Sequence, residues 1–491
     1  MNPLRWRSLL ALCVMLGVVW ILADGFVIAI PTIGRDLGAS TDQLAWALSG
    51  FALGACFSAL YGRLGDQHGN RLLVICGCVL FLAGTVAGAL AGSAGVLIGA
   101  RVVEGAGGYA VFTCSLSLIT LEFPLEERAK ALSIRAGIAW AASGTAVFVL
   151  AIVLAALGWR WIFWLAVPAM LVGLVLTLWT TPELHEGKPG APTDTFAALT
   201  LATAFTVLTF ALISADDIGP GPVAALVVAF FGLIGVFVAI ERRSANPLIP
   251  LEVWRHPTFT GSIAANFVIS AVLVGLFYAL ALSLQTIRGL TALQASFVLL
   301  GGTLPIIALN FLGTRLAERG RYRTPVVAGM AFLALGCFVI VFGERYHGTA
   351  VIFAGLVMIG CSIGVQVTPL STMQVSSTES TKGVATGVVG IMYGVSVALG
   401  TAVATAIIEI VGRYETSQPS AQATLGGASS DKVLGVFSGS VPLNSFSSEA
   451  ATTITHAFEK GVAACALVFG LMALAGLVVA MTTLKDVEIE E

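Results

Sequence analysis

Three ionisable residues sit inside stretches otherwise apolar enough to cross a bilayer: Asp24, Arg101 and Glu104. A charge in that setting costs a few kcal/mol on insertion scales, so each is a functional candidate by default. Asp24 lies six residues before the expected end of its span, and Arg101 six residues after the start of its own. At 1.5 Å per residue both sit about 9 Å from the same boundary. A carboxylate facing a guanidinium in a low-dielectric cavity can exchange that partner for a proton, and the two states can favour different conformations. Asp24 and Arg101 are therefore the expected coupling pair; the alternative is a static ion pair that fixes helix packing. Glu104, one turn from Arg101, can pair with it locally, which is the arrangement favoured, or act as a second proton or cation site. Trp20 precedes Asp24 by four residues, and Tyr109 and Phe112 follow Glu104 by five and eight. Aromatic faces beside a carboxylate suit lipophilic cations. The expected substrate cavity is thus Trp20, Asp24, Glu104, Tyr109 and Phe112, although packing is the plainer use of aromatics in membrane helices. Asn266, Gln285, Asn310 and Gln366 are further polar candidates from later spans, of unassigned face.

These residues need elements that hold them in lipid. Of the 491 residues 57% are hydrophobic and 11% charged, against about 25% charged in a soluble domain, which excludes a water-soluble globule. Walking the chain for runs of about 20 apolar residues predicts fourteen spans, from 8–30 to 456–483, and hence an all-α polytopic membrane protein. The first run follows Arg5 and Arg7 but lacks a cleavage site, so it reads as a helix rather than a signal peptide. With the N-terminus inside, seventeen Lys and Arg fall on the cytoplasmic side and seven outside, so both termini are expected in the cytoplasm. Three regions follow: a six-helix bundle over 1–180, a linker with two extra helices over 181–258, and a second six-helix bundle over 259–491. Residues 181–195 form a polar linker. Residues 412–455 form a Ser/Thr/Gly-rich outer loop, read as flexible or partly folded, with a lid or entrance role as the alternative.

Several functions are excluded by what the chain lacks. A net charge of -2 with scattered basic residues gives no reason to bind nucleic acid. The eight cysteines all fall in apolar stretches, and Cys76-Gly-Cys78 has no third ligand nearby, so no metal is expected. No phosphate-binding Gly-x-x-x-x-Gly-Lys-Ser/Thr sequence occurs, so ATP is not consumed, no cofactor is expected, and a gradient must supply the energy. The five histidines lie far apart in loops or at span ends, which argues against an enzyme, and no filter-like segment argues for a channel.

A repeat organises the spans. Gly62-Arg63-Leu64-Gly65-Asp66-Gln67-His68-Gly69-Asn70-Arg71 joins the second and third, and Gly313-Thr314-Arg315-Leu316-Ala317-Glu318-Arg319-Gly320-Arg321 joins the tenth and eleventh. Each has Arg-Leu, a carboxylate two residues on, then Gly and Arg, as two similar halves of a secondary transporter would. In the first copy Gly62 and Gly69 are expected to permit tight backbone geometry. Asp66 is expected to cap a neighbouring helix and pair with Arg71 or Arg135, so that Gly62, Asp66, Gly69, Arg71 and Arg135 make a cytoplasmic gate. Gly383, Gly387, Gly390, Gly394 and Gly400 sit at spacings that let helices approach and slide.

At these residues the chain resembles the major facilitator superfamily, and within it the fourteen-helix drug:proton antiporter branch. The turn from Gly62 to Arg71 is similar to the superfamily's loop signature. Arg101-Val102-Val103-Glu104-Gly105-Ala106-Gly107-Gly108 resembles its fourth-helix pattern, with Glu where Gln is usual. Phe123-Pro124, Glu127 to Ala131, Trp159 to Phe163, Val167-Pro168, and Asp24 with Ala29 to Ile33 also resemble the branch. The resemblance implies export of amphipathic, cationic compounds in exchange for protons by alternating access, from a monomer in the bacterial inner membrane. One stretch departs from it: residues 142–150 lack the Pro and most of the Gly of the branch's fifth-helix motif, which is associated with antiport, and Ile391-Met392-Tyr393 lacks an Arg often found there. A lipid or hydrophobic-metabolite exporter therefore stays open, as does a membrane sensor that binds without transporting.

Overall fold

In lipid every backbone N–H and C=O must be satisfied within the chain, so apolar runs of this length become helices. The computed structural model describes residues 3–184, 195–244, 247, 254–346, 348–376, 382–425, 430–438 and 441–485. Among them are fourteen helices long and apolar enough to span a membrane. The first six are α1 (Pro3–Gly25), α2 (Thr41–Leu53), α3 (Asn70–Ala89), α4 (Ala94–Glu122), α5 (Leu125–Leu157) and α6 (Arg160–Thr180). Then come α7 (Thr195–Ile213) and α8 (Pro220–Arg243). The last six are α9 (Pro257–Leu282), α10 (Ala292–Glu318), α11 (Arg323–Arg345), α12 (Thr349–Ser376), α13 (Lys382–Ser417) and α14 (Ser448–Thr483).

The internal repeat is visible in how the helices pair. In the first half α1 packs on α5 and α6, α4 on α2 and α3, and α3 on α6. The second half repeats all five pairings, with α9 on α13 and α14, α12 on α10 and α11, and α11 on α14. Equivalent starts even share a cap. Ser40 accepts from the Gln43 N–H while the Gln43 side chain accepts the Ser40 N–H at the head of α2, and Thr291 and Gln294 do the same for α10. The halves meet along two seams, α2 with α13 and α5 with α10, which the repeat exchanges. The extra pair α7 and α8 packs together, and α7 lies against both α13 and α2, covering the first of these seams.

The even number of crossings puts the start of α1 and the end of α14 on one face, here the terminal face. There Ser8 donates to Glu122 (2.7 Å) and Thr181 (3.0 Å), tying α1 to the ends of α4 and α6. On the opposite face the named contacts cross between the halves: Gln285 Nε2 donates to the Ile28 carbonyl at 3.1 Å, and the Phe148 and Phe297 rings meet at 5.2 Å. A buried ion network also sits at that face, where Arg288 Nη2 pairs with Glu344 at 2.8 Å, Ser283 donates to Glu344 at 3.1 Å, and Glu459 lies 3.9 Å from Arg288.

The turn regions differ from the sequence expectation in two places. The segment 412–455 is largely helical: α13 runs on to Ser417, helices Pro419–Leu425 and Ser430–Ser438 follow, and α14 begins at Ser448. Polarity had marked it as loop, but Val433, Val436 and Phe437 bury a short apolar stripe, with Phe437 packed on Phe458 at 4.9 Å. Gly62 is the second correction. It lies within a regular helix, Ser58–His68, that continues α2, and the chain turns only at Gly69, whose φ of 106° favours glycine.

Candidate functional site

A cavity of about 320 Å³ lies between the halves, walled by α1, α2, α4 and α5 on one side and by α9, α10, α12 and α13 on the other. On α5 the wall is one stripe, Arg135, Ala139, Ser143 and Val147, whose four-residue spacing keeps them on a single face. Trp20, Asp24, Tyr109 and Phe112 all line it. Trp20 makes edge contacts with Tyr109 (6.5 Å), Phe112 (5.6 Å) and Tyr393 of α13 (5.4 Å), so aromatic rings from both halves join beside the carboxylate. Asp24, partly open to the cavity, accepts a hydrogen bond from the Ser143 hydroxyl. That serine lies in the stretch where the fifth-helix motif is missing.

Glu104 is not on this wall, and neither is Arg101. Both are fully buried between α4, α2 and α3, and they pair with each other: Arg101 Nη1 donates to Glu104 Oε2 at 2.6 Å. Thr85 donates to Glu104 Oε1 at 3.0 Å, and Arg101 Nε donates to the Ala47 carbonyl at 3.2 Å. The guanidinium is held between the rings of Phe26 (4.3 Å) and Phe51 (4.6 Å), and Phe51 lines the cavity, so this ring stands between Arg101 and the open space. The reason Glu104 misses the cavity is helical geometry. Five residues at about 100° each put Tyr109 about 140° around α4 from Glu104. Glycines on α4 and α3 set the depth of burial, because a Cβ at Gly105 of α4 would overlap the Phe51 backbone and one at Gly84 of α3 the backbone of Glu104. The expected pair of Asp24 with Arg101 is thus replaced by two separate arrangements, Asp24 with Ser143 and Arg101 with Glu104. Arg101 Nη2 is left without a hydrogen-bond partner, and Asp24 is near enough to feel its charge.

The expected gate is also distributed differently. The Asp66 side chain lies outside the described residues. The N-terminus of α3 is capped by Glu183, which accepts the N–H groups of Arg71 (3.0 Å) and Leu72 (3.2 Å). Arg71 Nη2 donates to the Leu178 carbonyl at 2.6 Å and so joins α3 to α6 within one half. Arg63 reaches the Pro247 carbonyl in the segment that follows α8. Arg135 belongs to the cavity wall, donating to the Phe112 carbonyl at 2.7 Å.

Of the four amides named from the sequence, only Asn266 lines the cavity. Gln285 bonds the Ile28 carbonyl, Asn310 accepts from Thr368 at 2.8 Å, and Gln366 donates to Ser362 at 2.8 Å. The second-half wall instead presents Asn266, Ser270, Thr303, Ser371, Gln374 and Tyr393. Sequence reasoning missed Ser143 and Tyr393 and gave Arg135 a different place; the four-residue stripe through Arg135 and Ser143 was the available signal.

Residues 9–401 match the profile of the Major Facilitator Superfamily. The chain belongs to that family. This major facilitator protein is 28% identical over 478 residues to the multidrug efflux pump LfrA of Mycolicibacterium smegmatis, covering 96% of this chain and 95% of that one. It is also 28% identical over 411 residues to the multidrug resistance protein Stp of Mycobacterium tuberculosis, covering 82% and 76% respectively. Among solved structures, a bacterial homolog of the human lysosomal transporter Spinster, inward-facing and occupied, superposes with a TM-score of 0.67 at 17% identity, with 100% of both chains covered. At that identity the superposition shows the fold alone. As a major facilitator protein with fourteen apolar helices, the chain is a polytopic membrane transporter.

Proposed function

We propose that this transporter exports amphipathic, cationic drugs or toxic compounds in exchange for protons by alternating access, from the bacterial inner membrane with both termini in the cytoplasm. The observation that carries the reading is Asp24, a carboxylate on a cavity wall with Trp20, Tyr109, Phe112 and Tyr393 around it. An aromatic cluster with one acidic group binds a lipophilic cation through ring faces and charge, and a proton on that group releases it. The relatives named as a multidrug efflux pump and a multidrug resistance protein support the class of cargo.

In the coupling step Asp24 holds either the cargo cation or a proton. Arg101, whose Nη2 is unpartnered one ring away, takes up the Asp24 charge in the other conformation, while Glu104 keeps the guanidinium neutralised in this one. The gate on the terminal face is the turn at Gly69, with Arg71 and Glu183 holding α3 to α6 and Arg63 reaching the central linker. The test is proton movement in inside-out vesicles carrying a pH-sensitive dye. A lipophilic cation is expected to dissipate the imposed gradient with the wild type and not with Asp24→Asn. Equal dissipation by both removes Asp24 from the coupling, and no cation-driven dissipation by the wild type removes the antiport reading.

A further inference from the structure

Arg135 is unlike the other buried cations of this chain. It is 7% exposed and lies in the cavity wall. Its Nη2 donates to the Phe112 carbonyl at 2.7 Å and to Ser115 at 3.4 Å, and the Phe112 ring covers the guanidinium at 4.8 Å. Its Nε has no partner, and among the described residues no carboxylate pairs with it. Arg101 and Arg288, by contrast, each hold a buried glutamate. A buried guanidinium lacking an anion is costly, and in a cavity the missing anion can arrive with a ligand. Two more donors that line the cavity, Trp20 Nε1 on the first-half wall and Thr303 Oγ1 on the second-half wall, are also buried without partners.

The cavity therefore has two poles. Arg135 and Ser143 are on one stripe of α5, eight residues apart, which is about 12 Å along the helix. Ser143 marks the position of Asp24, to which it donates. Between the poles stand the apolar and aromatic walls. We infer that the site takes zwitterionic amphiphiles, with a cationic group toward Asp24 and a carboxylate, phosphate or sulfonate at Arg135, in preference to simple cations of the same shape. This rests on the cavity being the cargo site, as proposed above, and narrows the class of cargo. The acidic group could belong to a free amphiphile or to a phospholipid headgroup, and the chemistry at Arg135 is shared by both.

The probe is an esterified rhodamine, a cation, beside its free carboxylic acid, the zwitterion with the same fluorophore. Binding to the detergent-purified protein is followed by fluorescence polarisation, with a zwitterionic phospholipid in mixed micelles as competitor. The wild type is expected to bind the acid about tenfold more tightly than the ester, which is the scale of one charge-assisted hydrogen-bonded contact. Arg135→Gln is expected to bind the two about alike because the acid loses its contact, and Arg135→Lys to keep part of the preference. Displacement of the acid by phospholipid in the wild type assigns the lipid as source; its absence assigns the free amphiphile. Equal affinities in the wild type, a preference that survives Arg135→Gln, or binding of neither form overturns the inference. The wild-type comparison needs no variant to fold. Extrusion of the ester from cells by a protein that shows no preference for the acid overturns this inference while leaving the efflux reading intact; failure to extrude either dye, despite binding the acid, does the reverse.

Discussion

The two walls of the cavity are built from repeated helices but carry different chemistry. The first-half wall holds the ionisable and most of the aromatic groups: Asp24, Arg135, Trp20, Tyr109 and Phe112. The second-half wall offers amides and hydroxyls, Asn266, Gln374, Ser270, Ser371 and Thr303, with Phe277 and Tyr393 as its aromatics. Buried ion pairs are divided in the same way. Arg101 and Glu104 lie one ring behind the cavity at mid-span, whereas Arg288, Glu344 and Glu459 lie at the opposite-face end of the second half. Duplication thus supplied the frame, and the charge that lines the cavity was placed in one copy only. A proton or a charged cargo changes the energy of one half against a neutral counterpart, and this difference is what a rocking motion between rigid halves can use.

Breaking this asymmetry gives a graded set of outcomes. The largest is expected at Glu104→Gln, which leaves Arg101 buried without its counter-ion and should cost about 3–5 kcal/mol, read as a lowered thermal midpoint in detergent. Replacing both residues with apolar ones of similar size should recover most of it; a single variant as stable as the wild type would mean the pair contributes nothing. Next is Asp24→Asn, expected to cut cation-driven proton release about 100-fold with the fold intact, as loss of a charge that acts in every cycle would do. Third is Gly394→Val. A side chain there would overlap Ala55 and the Ala52 carbonyl along the α2–α13 seam. Forcing the halves apart should slow transport about tenfold while binding is kept, which vesicle flux and dye polarisation separate. The smallest effect is expected on the neutral wall, where Asn266→Ala should raise KM about two- to threefold, the scale of one neutral hydrogen bond. An Asn266→Ala effect as large as that of Asp24→Asn would erase the distinction between the walls.

The frame was readable because lipid imposes one rule on every span. Hydropathy alone gave fourteen helices, and the turns around Arg63-Leu64 and Arg315-Leu316 gave the repeat. Asp24, Trp20, Tyr109 and Phe112 were legible as candidates because a carboxylate beside aromatic residues is rare in an apolar run, and all four lie on the cavity wall. Glu104 was legible as a buried charge but not as to direction, since depth follows from position along a helix while facing depends on which neighbour covers it. Its glycine neighbours press α4 onto α2 and α3 and turn it away from the open space. Arg135 was read as a gate residue that pairs with Asp66 and so was not weighed as a wall residue. Glu183 sat in a linker whose polarity concealed its cap on α3. The helices at Pro419–Leu425 and Ser430–Ser438 were missed because their apolar stripe is only a few residues wide.

The placement of α7 and α8 makes the surroundings of the two seams unequal. Along α2 and α13 the seam lies beneath a protein surface, because α7 touches both. Along α5 and α10 no such cover is present among the described helices, and the exposed Phe297, Leu304, Ile307 and Phe311 of α10 face outward there. The bilayer itself completes that side. In the alternating-access cycle proposed above, acyl-chain length and order would act on one flank of the two halves and not on the other, making the membrane's composition a one-sided load.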